Sequence, residues 1–96
     1  MSFAGTLKRL RIKAGKSRYQ LWRFTGVDQT YIARLENGEK NNPSRSTVIL
    51  LGMGLVHSST RINIADVDEL LWAADYAPLR RRDADLKIKD NRPSQK

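Results

Sequence analysis

Three polar residues close together in the chain, Gln29, Thr30 and Arg34, have side chains of the kinds that hydrogen-bond to nucleic-acid bases. Glutamine can pair with adenine and arginine with guanine through two hydrogen bonds each, and threonine offers a hydroxyl or a methyl group. At helical spacing these residues share one face, opposite Ile32 and Leu35. An ordinary solvated helix face would have the same composition. These residues alone therefore do not decide between the two interpretations.

The segment before them has the signals of a short helix. Ser17 precedes Gln20 by three residues, which is the spacing of a capping box at a helix start. Gly26 can adopt the left-handed conformation that ends a helix, because it has no Cβ to clash. A first helix is therefore predicted between Ser17 and Gly26.

A second short helix, the predicted recognition helix, covers residues 28–37. Asp28 is a good N-cap for it, and Asn37 followed by Gly38 is a good stop. Two helices this short, joined through glycine and the apolar Val27, predict a helix-turn-helix. In such a motif the second helix enters the major groove by its N-terminal end, where Gln29 and Thr30 lie.

Positive charge is concentrated in two parts of the chain, whose formal net charge is +8. Residues 1–40 carry nine Lys or Arg against three acids (+6), residues 41–79 carry two against four (−2), and residues 80–96 carry seven against three (+4). Basic chains are common and are often merely solvated. Together with the helix-turn-helix pattern, however, this distribution favours a surface that faces phosphates.

Residues 3–55 resemble the DNA-binding domain shared by phage repressors, Cro and the xenobiotic-response-element regulators. The matching pieces, in chain order, are LKRLR (7–11), AGKS (14–17), Leu21, TGV (25–27), Tyr31-Ile32, RLENG (34–38), Pro43-Ser44 and the apolar run 48–55. A second match, LLWAADYAP (70–78), is similar to the final helix of many bacterial members. The resemblance implies an all-α, compact five-helix, lambda-repressor-like domain over 1–79. It implies a prokaryotic or phage transcriptional regulator that binds double-stranded DNA, at least there as a homodimer.

The resemblance also implies roles for individual residues. Gln29, Thr30 and Arg34 would contact bases, and Arg11 would form a structural ion pair with Glu36. The residues expected to contact phosphates lie at the start of the first motif helix, on the recognition helix and in the loop after it: Lys16, Arg18, Tyr31, Asn37, Lys40, Asn42 and Arg45. For each asparagine of this loop, a plain connecting role is the alternative.

Trp22 departs from the family pattern, which usually has a small alanine at this position of the first motif helix. The small residue lets the two helices approach each other closely. We therefore expect Trp22 to point elsewhere or to be accommodated by repacking, since overpacking costs about 1–3 kcal/mol.

Three further helices are predicted around the motif. Phe3 to Ala14 carries an apolar stripe at helical spacing and ends at Gly15. The helix predicted from Arg45 to Leu55 is too apolar to have a broad solvent-exposed face, so it should lie centrally in the core. Its two glycines would either permit a close helix contact or end the helix early.

The last helix is predicted to open at Asp66, with Glu69 completing the capping box, after a loop over 56–65. Its aromatic residues Trp72 and Tyr76 are candidate dimer contacts, because such anchors are enriched at interfaces. The alternative is that they belong to the core, which fits Leu70 and Ala74 better than Trp72. The basic tail over 80–96 is expected to be disordered, and it would add phosphate attraction or link to another domain.

Composition argues against several other classes of protein. The chain has no cysteine and one histidine, so neither a metal nor a cofactor is expected. No apolar run approaches a membrane span, which predicts a soluble, cytoplasmic and nucleoid-associated protein. No nucleophile–base pair or phosphate-cradling loop suggests an enzyme. The alternative function is an antitoxin-type module that binds a toxin partner and regulates its own operon.

Overall fold

Five helices make up the part of the chain that the computed structural model describes, residues 2–80, and this part contains no strand. They are α1 (Phe3–Ala14), α2 (Arg18–Thr25), α3 (Gln29–Glu36), α4 (Arg45–Val56) and α5 (Ile64–Ala73). The predicted all-α, five-helix class is confirmed. The predicted tail over 80–96 lies outside the described residues, except for Arg80 at its start.

A single apolar core joins all five helices. α4 lies centrally, as predicted, and packs against α1, α2 and α5, while α1 also contacts α3 and α5. The fully or almost fully buried apolar side chains are Leu7, Leu10, Leu21, Ile32, Leu35, Val48, Leu51, Leu55, Ile62, Val67, Leu70 and Leu71. Ile62 belongs to the loop before α5, so that loop is anchored in the core.

Local capping interactions fix the ends of α1 and α2 where the sequence predicts them. The Gln20 N–H donates to Ser17 Oγ at 3.1 Å, and the Ser17 N–H donates to Gln20 Oε1 at 2.8 Å, which completes the capping box. Gly15 and Gly26 end the two helices with φ of 70° and 79°, a region that disfavours residues with a Cβ. These ends therefore follow from interactions within a few residues.

α5 begins at Ile64, two residues before the predicted start at Asp66. Its N-cap is Asn63, whose Oδ1 accepts the N–H of Ala65 at 2.9 Å. Asp66 takes the partner position of this capping box, because its Oδ2 accepts the Asn63 N–H at 3.0 Å. The prediction was wrong because asparagine and aspartate are equally suited to the cap.

Both glycines of α4 allow close helix packing, which was one of the two predicted alternatives. A Cβ on Gly52 would lie 2.6 Å from Val67 Cγ1 of α5, and one on Gly54 would lie 2.6 Å from Thr25 Cγ2 of α2. α4 continues past both glycines to Val56, so they do not end it. Both neighbouring helices thus pack almost onto the backbone of α4.

Residues 2–80 contain neither a membrane-spanning helix nor a metal-binding group of side chains. Their longest helices, α1 and α4, have 12 residues, and no helix is long and apolar enough to cross a membrane. The same residues contain no group of three or more His, Asp or Glu side chains arranged to hold a metal ion.

Candidate nucleic-acid interface

The turn between α2 and α3 is held by hydrogen bonds from its own side chains. Thr25 Oγ1 donates to the Leu21 carbonyl at 2.7 Å and accepts the Val27 N–H at 3.0 Å. Asp28 Oδ2 accepts the N–H groups of Thr30 at 3.0 Å and Tyr31 at 3.3 Å, which caps α3. The helix-turn-helix therefore has a defined geometry at its bend.

The solvent-facing side of α3 carries the three residues predicted to contact bases. Gln29, Thr30 and Arg34 are all exposed, whereas Ile32 and Leu35 on the opposite side are completely buried. The structure thus brings the three polar side chains onto one open helix face. Tyr31, which was assigned to phosphate, is half-buried and its side chain packs against the core.

A buried carboxylate at the end of α3 joins this helix to α1 and α2. Arg11 Nε and Nη2 donate to the two Glu36 carboxylate oxygens at 2.6 Å and 3.0 Å. Arg18 Nε donates to Glu36 Oε1 at 3.2 Å from the start of α2. The Glu36 side chain is only 1% exposed, so the arginines replace the water that it loses on burial.

The positively charged side chain of Arg18 remains partly exposed to solvent. Its side chain is 41% exposed, and its contact with Glu36 draws it towards the protein. Glu36 neutralises one of its two arginine partners, so the cluster of Arg11, Glu36 and Arg18 has a net charge of +1 at neutral pH. Arg18 therefore still offers guanidinium protons to a phosphate placed at the start of α2.

Lys16 has a structural use that the sequence did not indicate. Its ammonium group donates to the Gly54 carbonyl at 2.7 Å and also to the His57 carbonyl, both at the C-terminal end of α4. Carbonyls at the end of a helix lack partners within the helix, and a cation there also suits the helix dipole. Burial lowers the pKa of Lys16 below its usual value of 10.5. Lys16 thus caps α4, and its contact with phosphate stays a prediction.

The loop after α3 and the first residue of α4 contribute exposed polar side chains beside the face of α3 that carries Gln29, Thr30 and Arg34. Lys40, Asn42 and Arg45 are exposed, which leaves their polar groups accessible to a phosphate backbone. Asn37 is exposed too, but its side chain is engaged within the loop, since its Oδ1 accepts the Glu39 N–H at 3.0 Å. These loop residues therefore differ in how freely they can contact a ligand.

Glu39 is an acid that lies next to the exposed face of α3. Its Oε1 is 3.7 Å from Arg34 Nε, and both side chains are more than half exposed. A contact of this length between exposed groups is weak, since water screens both charges. The Arg34 side chain therefore lies near Glu39 of the α3–α4 loop but is not held firmly by it.

The two aromatic residues proposed as dimer contacts differ in their surroundings. Tyr76 is half-buried, and its hydroxyl donates to the Pro43 carbonyl at 2.7 Å, which ties the segment after α5 to the α3–α4 loop. Trp72 on α5 is 51% exposed. Tyr76 thus has a clear role inside the domain, and Trp72 is the more accessible of the pair.

The sequence did not predict that Asp68 holds the last described residues, Leu79 and Arg80, against the domain. Asp68 is almost completely buried in α5, and its carboxylate accepts the Leu79 N–H at 2.7 Å and Arg80 Nε at 2.6 Å. One signal was present, an aspartate at a core-facing position of an apolar helix, because buried acids are normally paired. The partner could not be deduced from spacing.

The comparison with known proteins agrees with this geometry. Residues 2–54 match a family model described as a helix-turn-helix domain, which covers more than half of the chain and all of α1, α2 and α3. No curated protein matches the chain significantly.

Proposed function

The chain belongs to the helix-turn-helix domain family, and on that premise we propose that it is a sequence-specific DNA-binding transcriptional regulator of the phage repressor and Cro type. The family as a whole binds DNA and typically has no enzymatic activity. The observation that supports sequence-specific binding is the exposed face of α3. Gln29, Thr30 and Arg34 lie together on this face, and the opposite, apolar side of the helix is fully buried.

In this proposal α3 enters the major groove with its N-terminal end first. Gln29 and Thr30 lie in the first turn of the helix, where they would meet base edges before the rest of the helix does. Arg34 lies one turn further and would contact a guanine through two hydrogen bonds. Its weak contact with Glu39 would be exchanged for the base.

Affinity would come mainly from cations around this face. Arg18, Lys40 and Arg45 are partly or fully exposed and would pair with phosphates on either side of the groove. Each phosphate neutralised releases counterions, so binding should weaken steeply as salt increases. Such contacts set the orientation of the domain but do not select a sequence.

Two copies of the domain would act together on DNA. Helix-turn-helix dimers place their recognition helices on half-sites about 34–36 Å apart, one turn of the duplex. The half-exposed Trp72 on α5 is our candidate for the contact between copies. Regulation would then be steric, because occupied DNA is closed to other proteins.

The test is a binding selection from random duplex DNA with the purified chain at near-physiological salt. Enrichment of a two-fold-symmetric motif is the expected result and would also identify the half-site. Failure to enrich any sequence, with binding lost at moderate salt, would refute a sequence-specific regulator. A protein partner, such as the toxin of an antitoxin pair, would then be the better explanation for the exposed surface.

A further inference from the structure

Trp22 turns towards the outside of α2, which explains how this large residue replaces a small one. Its ring lies 5.5 Å from the ring of Tyr19, which is 52% exposed, and 5.9 Å from the guanidinium carbon of the exposed Arg23. The adjoining side of α2 packs against α4, where Leu21 and Thr25 approach Gly54. The indole is half-buried and adds an aromatic surface beside the core without entering it.

The position of Arg18 shows which neighbour this surface faces. Arg18 and Trp22 are four residues apart on α2 and therefore share one helix face. Arg18 reaches Glu36 at the end of α3, with Nη2 3.1 Å from Oε1. Trp22 thus lies on the side of α2 that is turned towards the recognition helix.

The direction of helical side chains brings the indole close to the start of α2. Long side chains in a helix lean towards its N-terminus and cover the preceding turn. The contact between the Trp22 and Tyr19 rings agrees with this direction. The aromatic surface therefore shares a helix face with Arg18, which we assign to the DNA backbone, and the exposed Arg23 lies over the Trp22 ring.

The face of α2 around Trp22 combines positive charge with an aromatic surface. Such a face can bind an anionic ligand that also has apolar patches. α2 contains no acidic residue, and Arg18 and Arg23 lie on either side of Trp22 in the sequence. A DNA strand presents alternating phosphates and apolar deoxyribose faces. Arginines pair with phosphates, whereas an indole offers a flat apolar ring and one N–H donor.

We infer that Trp22, with Tyr19 beside it, packs against the sugar–phosphate backbone that borders the groove occupied by α3. This inference rests on the proposed function, because it places DNA on the exposed face of α3. The contact adds affinity without reading bases, so it acts alike on all sequences.

Fluorescence can test this contact directly, because the chain has two tryptophans. The variant Trp72→Phe leaves Trp22 as the single reporter and keeps an aromatic ring at the proposed contact between copies. Its affinity for the selected duplex is first compared with that of the parent protein, and the duplex concentration is set to saturate it. With the duplex obtained by selection, we expect the acrylamide quenching constant of Trp22 to fall by about twofold or more, because the backbone covers the open side of the ring. The same protein with a scrambled duplex at low salt should show a similar decrease, since the contact does not depend on sequence.

Binding measurements on two Trp22 variants provide the second arm. Trp22→Ala should weaken binding by about tenfold on both duplexes, whereas Trp22→Phe should stay within about threefold of the parent protein. Both variants should remain folded, because the indole lies beside the core and not within it. Thermal unfolding, followed by circular dichroism, checks this for each protein.

The outcomes separate this inference from the proposed function. If the Trp72→Phe protein binds the selected duplex while Trp22 remains as accessible as in the free protein, the backbone contact is refuted and the proposed function stands. A folded Trp22→Ala variant with unchanged affinity would overturn the contact as well. If the parent protein binds no duplex, the proposed function fails and this contact fails with it.

Discussion

Arg11 in α1 holds the carboxylate of Glu36 at the end of α3 with two hydrogen bonds, of 2.6 Å and 3.0 Å. The two residues are 25 positions apart in the chain, so this contact is part of the tertiary structure. α3 has only eight residues, and isolated helices of that length are not stable in water. The position of the exposed face of α3 therefore depends on contacts of this kind.

Glu36→Gln should destabilise the domain by about 3–5 kcal/mol, because it removes one partner of a buried charge pair and leaves two arginines without their counter-ion. Urea unfolding followed by circular dichroism measures the change. Glu39→Gln is the matched control, since Glu39 is 62% exposed and should change stability by no more than about 0.5 kcal/mol. Equal effects of the two variants would show that the buried pair does not stabilise the fold.

Arg34→Ala and Lys40→Ala should impair DNA binding in different ways. Loss of the Arg34 contact should cost about 1–3 kcal/mol on the selected site and relax the preference at one base position. Loss of Lys40 should weaken binding on all duplexes alike and reduce the salt slope by about one. Both side chains are exposed, so neither variant should alter folding.

The comparison is made by titrating both variants against the selected duplex, against its single-base variants and at several salt concentrations. An Arg34→Ala protein that keeps the same base preferences would show that another residue reads that position. The assignment of the α3 face would then be incorrect.

The helix-turn-helix was predictable because its signals act over three or four residues. Ser17, Gly26 and Asp28 each fix a helix end through their own backbone conformation or a nearby N–H, and the structure places all three as predicted. Lys16 and Asp68 were not predictable in this way. Their partners are 38 and 11 residues away, and no local pattern specifies such distances.

The exposed face of α3 also combines a feature that local pattern predicts with one that it does not. Helical periodicity was sufficient to place Gln29, Thr30 and Arg34 on one side of α3, opposite the buried Ile32 and Leu35. Periodicity could not show that Glu39 lies 3.7 Å from Arg34, because the two residues belong to a helix and to the loop after it.

Gly52→Ala should destabilise the domain although alanine is the better helix former. The new methyl group would lie 2.6 Å from Val67 Cγ1 in the α4–α5 contact, and such overpacking costs about 1–3 kcal/mol. The gain in helix propensity is only about 0.5–1 kcal/mol. Thermal unfolding of the variant measures the balance.

The matched control for this prediction is the double variant Gly52→Ala with Val67→Ala, which removes the clashing methyl groups. The double variant should be more stable than the sum of the two single effects indicates, since the two positions are in contact. Strict additivity would mean that α5 moves away from the new methyl at no cost.

Asp68 should give the domain a stability that depends on pH in the acidic range. Burial by itself raises the pKa of this carboxyl group, but hydrogen bonds from Arg80 and from the backbone N–H of Leu79, together with the Arg80 charge, outweigh it and lower the pKa below 3.8. A carboxyl group whose pKa is lower in the folded state stabilises that state fully above its unfolded pKa. The contribution is lost as pH falls through the folded value.

Asp68→Asn should therefore reduce stability by about 1–3 kcal/mol near neutral pH. The difference from the parent protein should shrink as pH falls below 3.8, the usual value for this group. Unfolding experiments between neutral pH and strongly acidic pH measure it. Glu69→Gln is the control, because Glu69 and its partner Arg9 are both more than a third exposed and exposed pairs contribute at most about 1 kcal/mol. A difference between the parent and Asp68→Asn proteins that persists unchanged through the acidic range would show that the buried charge does not anchor Leu79 and Arg80.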